Sequence, residues 1–379
     1  MKRYLIIAGE TSGDQHGGNL ISAIKKSHHE KVEFWGIGGT TMHKVGLHQL
    51  EVIDNISIVG FSEALKKLPS MVVLLNRIIK FVEDMNPDGV ILIDYPGFNL
   101  KLASKIKKKS PNTKIHFFIS PQIWAWNEKR IKIIKNYIDQ MIVIFPFEEP
   151  YYKKHGINVK YVGHPFLDHW KPREISMIRD NLGLPKNKKI IGVFPGSRTQ
   201  ELKTHLPIYI DAINKINKNT GDVFFALGLA DGFIENDIRQ QYDLNIKIIS
   251  DNAIDLLECS DVAIATSGTV SLQATFMDTP CVVSYKLSRV SGFISKMLVK
   301  VPYISMTNII ANEMILPELT QSEVSANNIQ LEVMRFINDQ DYLQNVKKKM
   351  KKVTSEFLTK TNSIQNAAEL IINIDDTKN

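Results

Sequence analysis

Two acidic residues and two glycine-serine turns stand where short apolar runs of this chain end. The apolar run 4–8 passes into Gly9-Glu10-Thr11-Ser12-Gly13-Asp14, with Gly17-Gly18 shortly after. Glycines permit a tight turn and close backbone approach, and a helix opening there offers free N–H groups. Either the turn is structural, with Ser12 or Asp14 capping the helix, or an acidic residue in it holds a sugar hydroxyl. The turn is not a dinucleotide fingerprint, because G-x-G-x-x-G is absent. The apolar run 89–93 ends in Asp94-Tyr95-Pro96-Gly97-Phe98-Asn99. A carboxylate in that position either takes a proton from a substrate or caps the next helix, and position alone leaves both open. The following strand ends in Ser120-Pro-Gln-Ile-Trp-Ala-Trp126, whose tryptophans either flank a sugar or pack in the interior.

The second half repeats the logic. Phe194 leads into Pro195-Gly196-Ser197-Arg198-Thr199-Gln200-Glu201, a Gly-Ser turn opening a helix, with one arginine. A helix N-terminus and a guanidinium both favour negative charge, so the turn suits a pyrophosphate. Thr266-Ser267-Gly268-Thr269 is a matching turn. Each is also what a well-capped helix needs. Together, and without a Walker lysine motif, they suggest a nucleoside diphosphate held as a leaving group.

These residues need a scaffold that delivers them to one edge. Expected strands are 4–8, 32–37, 89–93, 114–119, 141–145 and 159–162, then 189–194, 222–227, 246–249, 261–265 and 280–285. Helical stretches such as 14–26, 61–84, 126–137, 199–217, 252–259 and 268–277 lie between them. Strand and helix in alternation imply an α/β fold of parallel sheets covered on both faces, with ligands beyond the carboxyl ends of the strands. The pattern breaks near Gly163-His164-Pro165 and restarts at Lys189. It therefore predicts two doubly wound, Rossmann-like domains, 1–165 and 166–379, the second carrying a helical tail over 326–373. The basic run at 347–352 reads as a solvated helix face.

Composition narrows the classes. Two cysteines, Cys259 and Cys281, exclude a disulfide framework and lack zinc-site spacing, which fits a reducing compartment. The run 4–8 is far too short for a signal peptide, and no stretch approaches the ~18 apolar residues of a membrane span. A net charge of +7, from 47 basic and 40 acidic residues, suits anionic partners such as nucleotide or phospholipid. No basic run is interleaved with aromatics in a nucleic-acid motif, so no nucleic-acid partner is expected. Segment 61–82 places Phe61, Leu65, Leu68, Val72, Leu75, Ile79 and Val82 at helical spacing, beside Lys66, Lys67, Arg77 and Lys80. Val73 and Leu74 widen the apolar face, and Pro69 should kink or divide the helix. A second such stretch is 287–301. Each is either core packing with a basic rim or a surface that meets acyl chains and anionic headgroups, with Leu65, Leu68, Met71 and Val72 as its contacts in the first.

The motifs together resemble the lipid-A-disaccharide synthase family. The segments carrying the likeness are 8–14, 93–99, 120–126, 162–165 and 195–198 with Glu201, then 267–269 and 303–308 (Tyr-Ile-Ser-Met-Thr-Asn). The resemblance implies the GT-B architecture, two Rossmann-like domains facing a cleft. It also implies inverting transfer of 2,3-diacylglucosamine from UDP to the 6-hydroxyl of 2,3-diacylglucosamine 1-phosphate (lipid X), giving a β-1,6 disaccharide 1-phosphate and UDP. By the same likeness Asp94 corresponds to the general base, and Glu10 and Ser12 sit in the turn near the acceptor. Gly196, Ser197, Arg198, Glu201, Ser267, Gly268, Thr269, Gln273 and Asn308 fall at donor-side positions. Gln273 stands where the family usually has a glutamate, so an ionic acceptor for the ribose is gone. Gly97 stands where relatives often carry an aspartate, which leaves Asp94 as the one carboxylate of its loop. No cofactor and no metal are expected, since arginine and helix N-termini replace the metal. A cytoplasmic, peripheral place on the inner membrane of a Gram-negative bacterium is implied. The rival enzyme reading is another GT-B UDP-sugar enzyme, such as a UDP-N-acetylglucosamine 2-epimerase. A non-catalytic nucleotide-binding or membrane-docking module would need no carboxylate at Asp94.

Overall fold

Short, strongly apolar runs, buried along most of their length, set the architecture. The computed structural model describes residues 1–28, 30–52, 61–242, 246–287 and 301–376, with the side chains of 52, 61–69 and 376 left aside. The first sheet contains β1 (Lys2–Ala8), β2 (Val32–Gly38), β3 (Leu47–Val52), β4 (Gly89–Ile93), β5 (Lys114–Phe118), β6 (Gln140–Val143) and β7 (Val159–Tyr161). Its strand order is β3-β2-β1-β4-β5-β6-β7, and every pairing is parallel. The second contains β8 (Lys189–Phe194), β9 (Val223–Gly228), β10 (Lys247–Ile249), β11 (Val262–Thr266), β12 (Cys281–Tyr285) and β13 (Glu318–Thr320). Its order is β10-β9-β8-β11-β12-β13, again all parallel. Leu5, Ile6, Ile7, Ile91 and Leu92 in one sheet, and Ile190, Ile191, Ala263 and Ile264 in the other, are fully buried. Helices on both faces produce that burial, the reason such strands read as continuous apolar runs.

The eleven expected strands are present with shifts at their ends, and β3 and β13 are additions. The short β13 is held by Glu318, whose carboxylate accepts from the backbone of Ile304 and Ser305. Of the kink or division expected at Pro69, the division does not occur, since the helix Phe61–Met85 is continuous, and Thr199–Asn219 likewise contains Pro207. One lost backbone bond does not outweigh the packing of a long helix. Leu74, Leu75, Ile78, Ile79 and Val82 bury one face of Phe61–Met85.

Two compact units result, one of residues 1–169 with 357–379 and one of 170–356. This differs from the expected 1–165 and 166–379, chiefly in the tail. The helix Ser363–Asp376 is part of the first unit, capped at its N-terminus by Asp168. The carboxylate of Asp168 accepts from Ser363 Oγ at 2.6 Å and from the Ser363 and Ile364 amides. Its face Ala367, Ala368 and Ile371 is fully buried, and Asp375 meets His116 of β5 at 3.1 Å in the interior. The basic run lies on the helix Gln340–Phe357, whose buried face is Val346, Met350, Val353 and Phe357. Lys348, Lys351 and Lys352 are exposed, so the run is a solvated face.

Candidate active site

In each sheet the strand order reverses direction once, between β1 and β4 and between β8 and β11. Loops leaving neighbouring strands at such a point diverge and open a crevice. The first switch point carries Glu10 and Asp94, and the second carries both Gly-Ser turns.

Asp94 and Tyr95 are consecutive non-glycine residues in the left-handed region, with φ of 44° and 47°. Such conformations cost on the order of 1–3 kcal/mol each and persist only where neighbours enforce them. Here the Asp94 amide donates to Phe118 O at 3.0 Å. Asn99 Nδ2 donates to the Asp94 and Ile93 carbonyls at 2.7 and 3.2 Å. The Tyr95 ring lies over Gly9, where any β-carbon would collide with it. This explains a glycine directly before Glu10. The N-cap of the helix Pro96–Lys109 is Tyr95, with no side-chain cap, so Asp94 does not serve as the helix cap. Burial, and next the charge of Glu10, push the Asp94 carboxyl up to about 6, against a backbone hydrogen bond from Tyr95. A carboxyl in that range is poised to exchange a proton near neutrality.

Around it, Glu10 is half-buried at the N-cap of the helix Thr11–Ser27 and makes no side-chain cap. Ser12 is exposed. Asp14 caps a different helix: it accepts from the Gly39, Thr41 and Met42 amides at 2.7, 2.9 and 3.0 Å, opening Thr40–Lys44. His16 and His164 are held neutral, pushed down to about 4 and about 3, mainly by burial. Glu148 is a further residue, absent from the sequence-based candidates. It is fully buried and accepts from Ser120 Oγ at 2.5 Å, Trp124 Nε1 at 3.1 Å and the Phe145 amide at 3.3 Å. Burial raises it to about 7, with Asp94 adding to the push. It fastens the 120–126 loop, which Tyr152 also holds through Pro121 O at 3.0 Å.

In the second unit, Gly196 adopts φ 114°, and a β-carbon there would strike the Glu201 carboxylate. That carboxylate accepts from the Ser197 and Arg198 amides at 3.2 and 3.4 Å and pairs with the Arg198 guanidinium at 3.6 Å. Glu201 thus shapes the turn and steadies Arg198. The Arg198 side chain remains 56% exposed. Ser267 Oγ donates to Ile304 O at 2.7 Å. Gly268 and Thr269 are exposed, and a β-carbon on Gly268 would meet nothing within 4 Å, leaving room for a ligand. Gln273 is half-buried on the helix Thr269–Phe276.

Asn308, expected at a donor-side position, is fully buried. Its Nδ2 donates to Leu316 O at 2.8 Å and Glu318 Oε1 at 2.7 Å. Its Oδ1 accepts from the Ile315 and Leu316 amides at 2.8 and 2.9 Å. A primary amide has two donors and two acceptor sites, so all four are spent inside the fold. Asn308 is a positioning residue for the 303–308 motif, linked through Glu318 and Ile304 to the Ser267 turn.

On the candidate membrane face, Val72 and Val73 are 50% and 68% exposed, and Met71 is half-buried. Leu65 and Leu68 lie on the same helix, with side chains outside the described residues, as are 288–300 of the second apolar stretch. No helix among the described residues is long and apolar enough to cross a membrane, and none of their His, Cys, Asp and Glu side chains form a group of three or more suited to a metal.

The profile of the family described as lipid-A-disaccharide synthetase matches residues 4–373. A lipid-A-disaccharide synthase of Trichlorobacter lovleyi is 38% identical over 348 residues, covering 90% of this chain and 89% of that one. One from Coxiella burnetii is 33% identical over 377 residues, covering 98% of each. Among solved structures, a UDP-GlcNAc 2-epimerase from Neisseria meningitidis bound to UDP-GlcNAc superposes with a TM-score of 0.61 at 12% identity, covering 100% of both chains. A calicheamicin glycosyltransferase does so with 0.62 at 11%, again over 100% of both. At such identities these two show the shared GT-B fold alone.

Proposed function

We propose, from the premise that this chain belongs to the lipid-A-disaccharide synthase family, a division of its chemistry between the two switch points. The chain is a glycosyltransferase of lipid A assembly. Its donor is UDP-2,3-diacylglucosamine and its acceptor is lipid X. Asp94 takes the proton of the acceptor 6-hydroxyl as the oxygen attacks the anomeric carbon opposite the departing UDP. Glu10 keeps the Asp94 carboxyl basic enough for the task and stands ready to hold an acceptor hydroxyl. Arg198 and the Ser267-Gly268-Thr269 turn bind the pyrophosphate, and Gln273 offers the ribose a neutral acceptor.

The observation that carries this reading is Asp94 itself: strained, half-buried, excused from capping and raised to about 6. A capping aspartate would instead accept from helix amides, as Asp14 and Asp168 do. Incubation with UDP-2,3-diacylglucosamine and lipid X, with mass detection of a disaccharide 1-phosphate, is the test. Absence of that product, or epimerised donor in its place, would overturn it.

Association with the inner-membrane surface is peripheral in this reading. Exposed Val72 and Val73, with half-buried Met71, supply an apolar patch on a helix that also carries Arg77 and Lys80, and Leu65, Lys66, Lys67 and Leu68 precede it in sequence. Apolar burial and headgroup attraction together suit a lipid-linked acceptor.

A further inference from the structure

Trp126 is a large side chain left 40% exposed at the end of an otherwise anchored loop. Arg130 places its guanidinium over that ring, 4.9 Å from the centroid. Arg130 is half-buried, yet no carboxylate pairs with it among the described residues, and burial lowers its pKa. A partly desolvated guanidinium without a counter-ion is costly, and a ring quadrupole compensates only in part. The loop that presents the pair is fastened at Ser120 and Trp124 by Glu148 and at Pro121 by Tyr152. It leaves β5, the strand directly beside β4, and the Asp94 amide itself bonds to Phe118 O at the end of β5. The pair is therefore built into the Asp94 edge of the first sheet.

We infer that Trp126 and Arg130 form a sugar-phosphate subsite, the indole face meeting a pyranose and the guanidinium taking its phosphomonoester. The inference rests on the proposed acceptor, whose phosphate is remote from the hydroxyl that reacts. Arginine suits this task, because its planar fork grips two phosphate oxygens where lysine offers a point charge. The phosphate adds binding without taking part in bond making, so its loss should appear in acceptor affinity rather than in the chemical step.

The test compares two acceptors, 2,3-diacylglucosamine 1-phosphate and the same lipid lacking the phosphate, on wild type, Arg130→Gln and Arg130→Lys. Acceptor binding is followed by tryptophan fluorescence and transfer by mass detection, with melting temperature as a fold control. Wild type should favour the phosphorylated lipid by ~10–100-fold, the weight of a charge-assisted contact. Arg130→Gln should erase that preference while leaving the unphosphorylated lipid unchanged, and Arg130→Lys should retain part of it. Equal effects of Arg130→Gln on both lipids, or none on either, would overturn the subsite. If wild type binds the phosphorylated lipid through Arg130 but transfers no sugar to it, the subsite stands and the proposed activity fails. If wild type transfers sugar with no Arg130-dependent preference, the activity stands and the subsite fails.

Discussion

A carboxylate's environment tells a base from a cap, and here the same few atoms also link activity to stability. The folded state raises Asp94 from 3.8 to about 6, so between those values the folded chain holds a proton that the unfolded chain has lost. Stability therefore falls as pH rises through that window. Activity moves the other way, because the base must be ionised: kcat/KM, which reports the free enzyme, should rise with pH through a limb near 6. Arg198→Ala and Arg198→Lys should both weaken UDP binding, measured by calorimetry, with the melting temperature unchanged. Unaltered affinity in Arg198→Ala would remove this side chain from the donor site. Asn308→Ala should behave differently. It strands the buried amide and carbonyl of Leu316, each costing about 1–3 kcal/mol, while Ile315 keeps Glu313 O and Glu318 keeps Ser305. Thermal melting should register the loss before any effect on UDP affinity appears. The position of Asp94 was legible in the sequence because a charge at the end of an apolar run stands out. Glu148 follows the same logic in Phe145-Pro-Phe-Glu148, but flanking aromatics disguise it. The exhausted amide of Asn308 was not legible, since its partners lie seven to ten residues away, at Ile315 and Leu316 and at the start of a three-residue strand.

At the scale of elements, period and length made most strands readable, while caps and short strands escaped. Asp14 illustrates the limit: the sequence marks it as a cap, and only the fold reveals that the helix it caps begins at Thr40. The helix Phe61–Met85 shows the opposite case. Its apolar residues at helical spacing are one stripe up to Val82, but their fates divide, with Leu75, Ile79 and Val82 in the core and Val72 exposed. Periodicity cannot tell which part of an amphipathic face finds a partner. Exposed Val72 predicts a membrane contact at this end of the helix: serine at Leu65, Leu68 and Met71 should reduce liposome binding and improve solubility with the fold retained. Unfolding of those variants would make the segment core. High salt should release only part of the bound protein, because headgroup attraction is screened and apolar burial is not.

For the whole molecule, the alternation of strands and helices revealed two parallel sheets, but chain order misled about the tail. Residues 363–376 follow the second unit in sequence and pack in the first, where Asp168 and His116 receive them. Long-range returns of this kind leave no local pattern. Both switch points, by contrast, follow from strand order, and every proposed catalytic and pyrophosphate contact sits at one of them. The most direct measurement of this account is turnover of Asp94→Asn against wild type, both substrates saturating, with UDP affinity as control. Asparagine keeps the shape and cannot take the proton, so turnover should fall by ~10²–10⁴ with UDP affinity nearly unchanged. Turnover within a few-fold of wild type would contradict the assignment of Asp94 as the base.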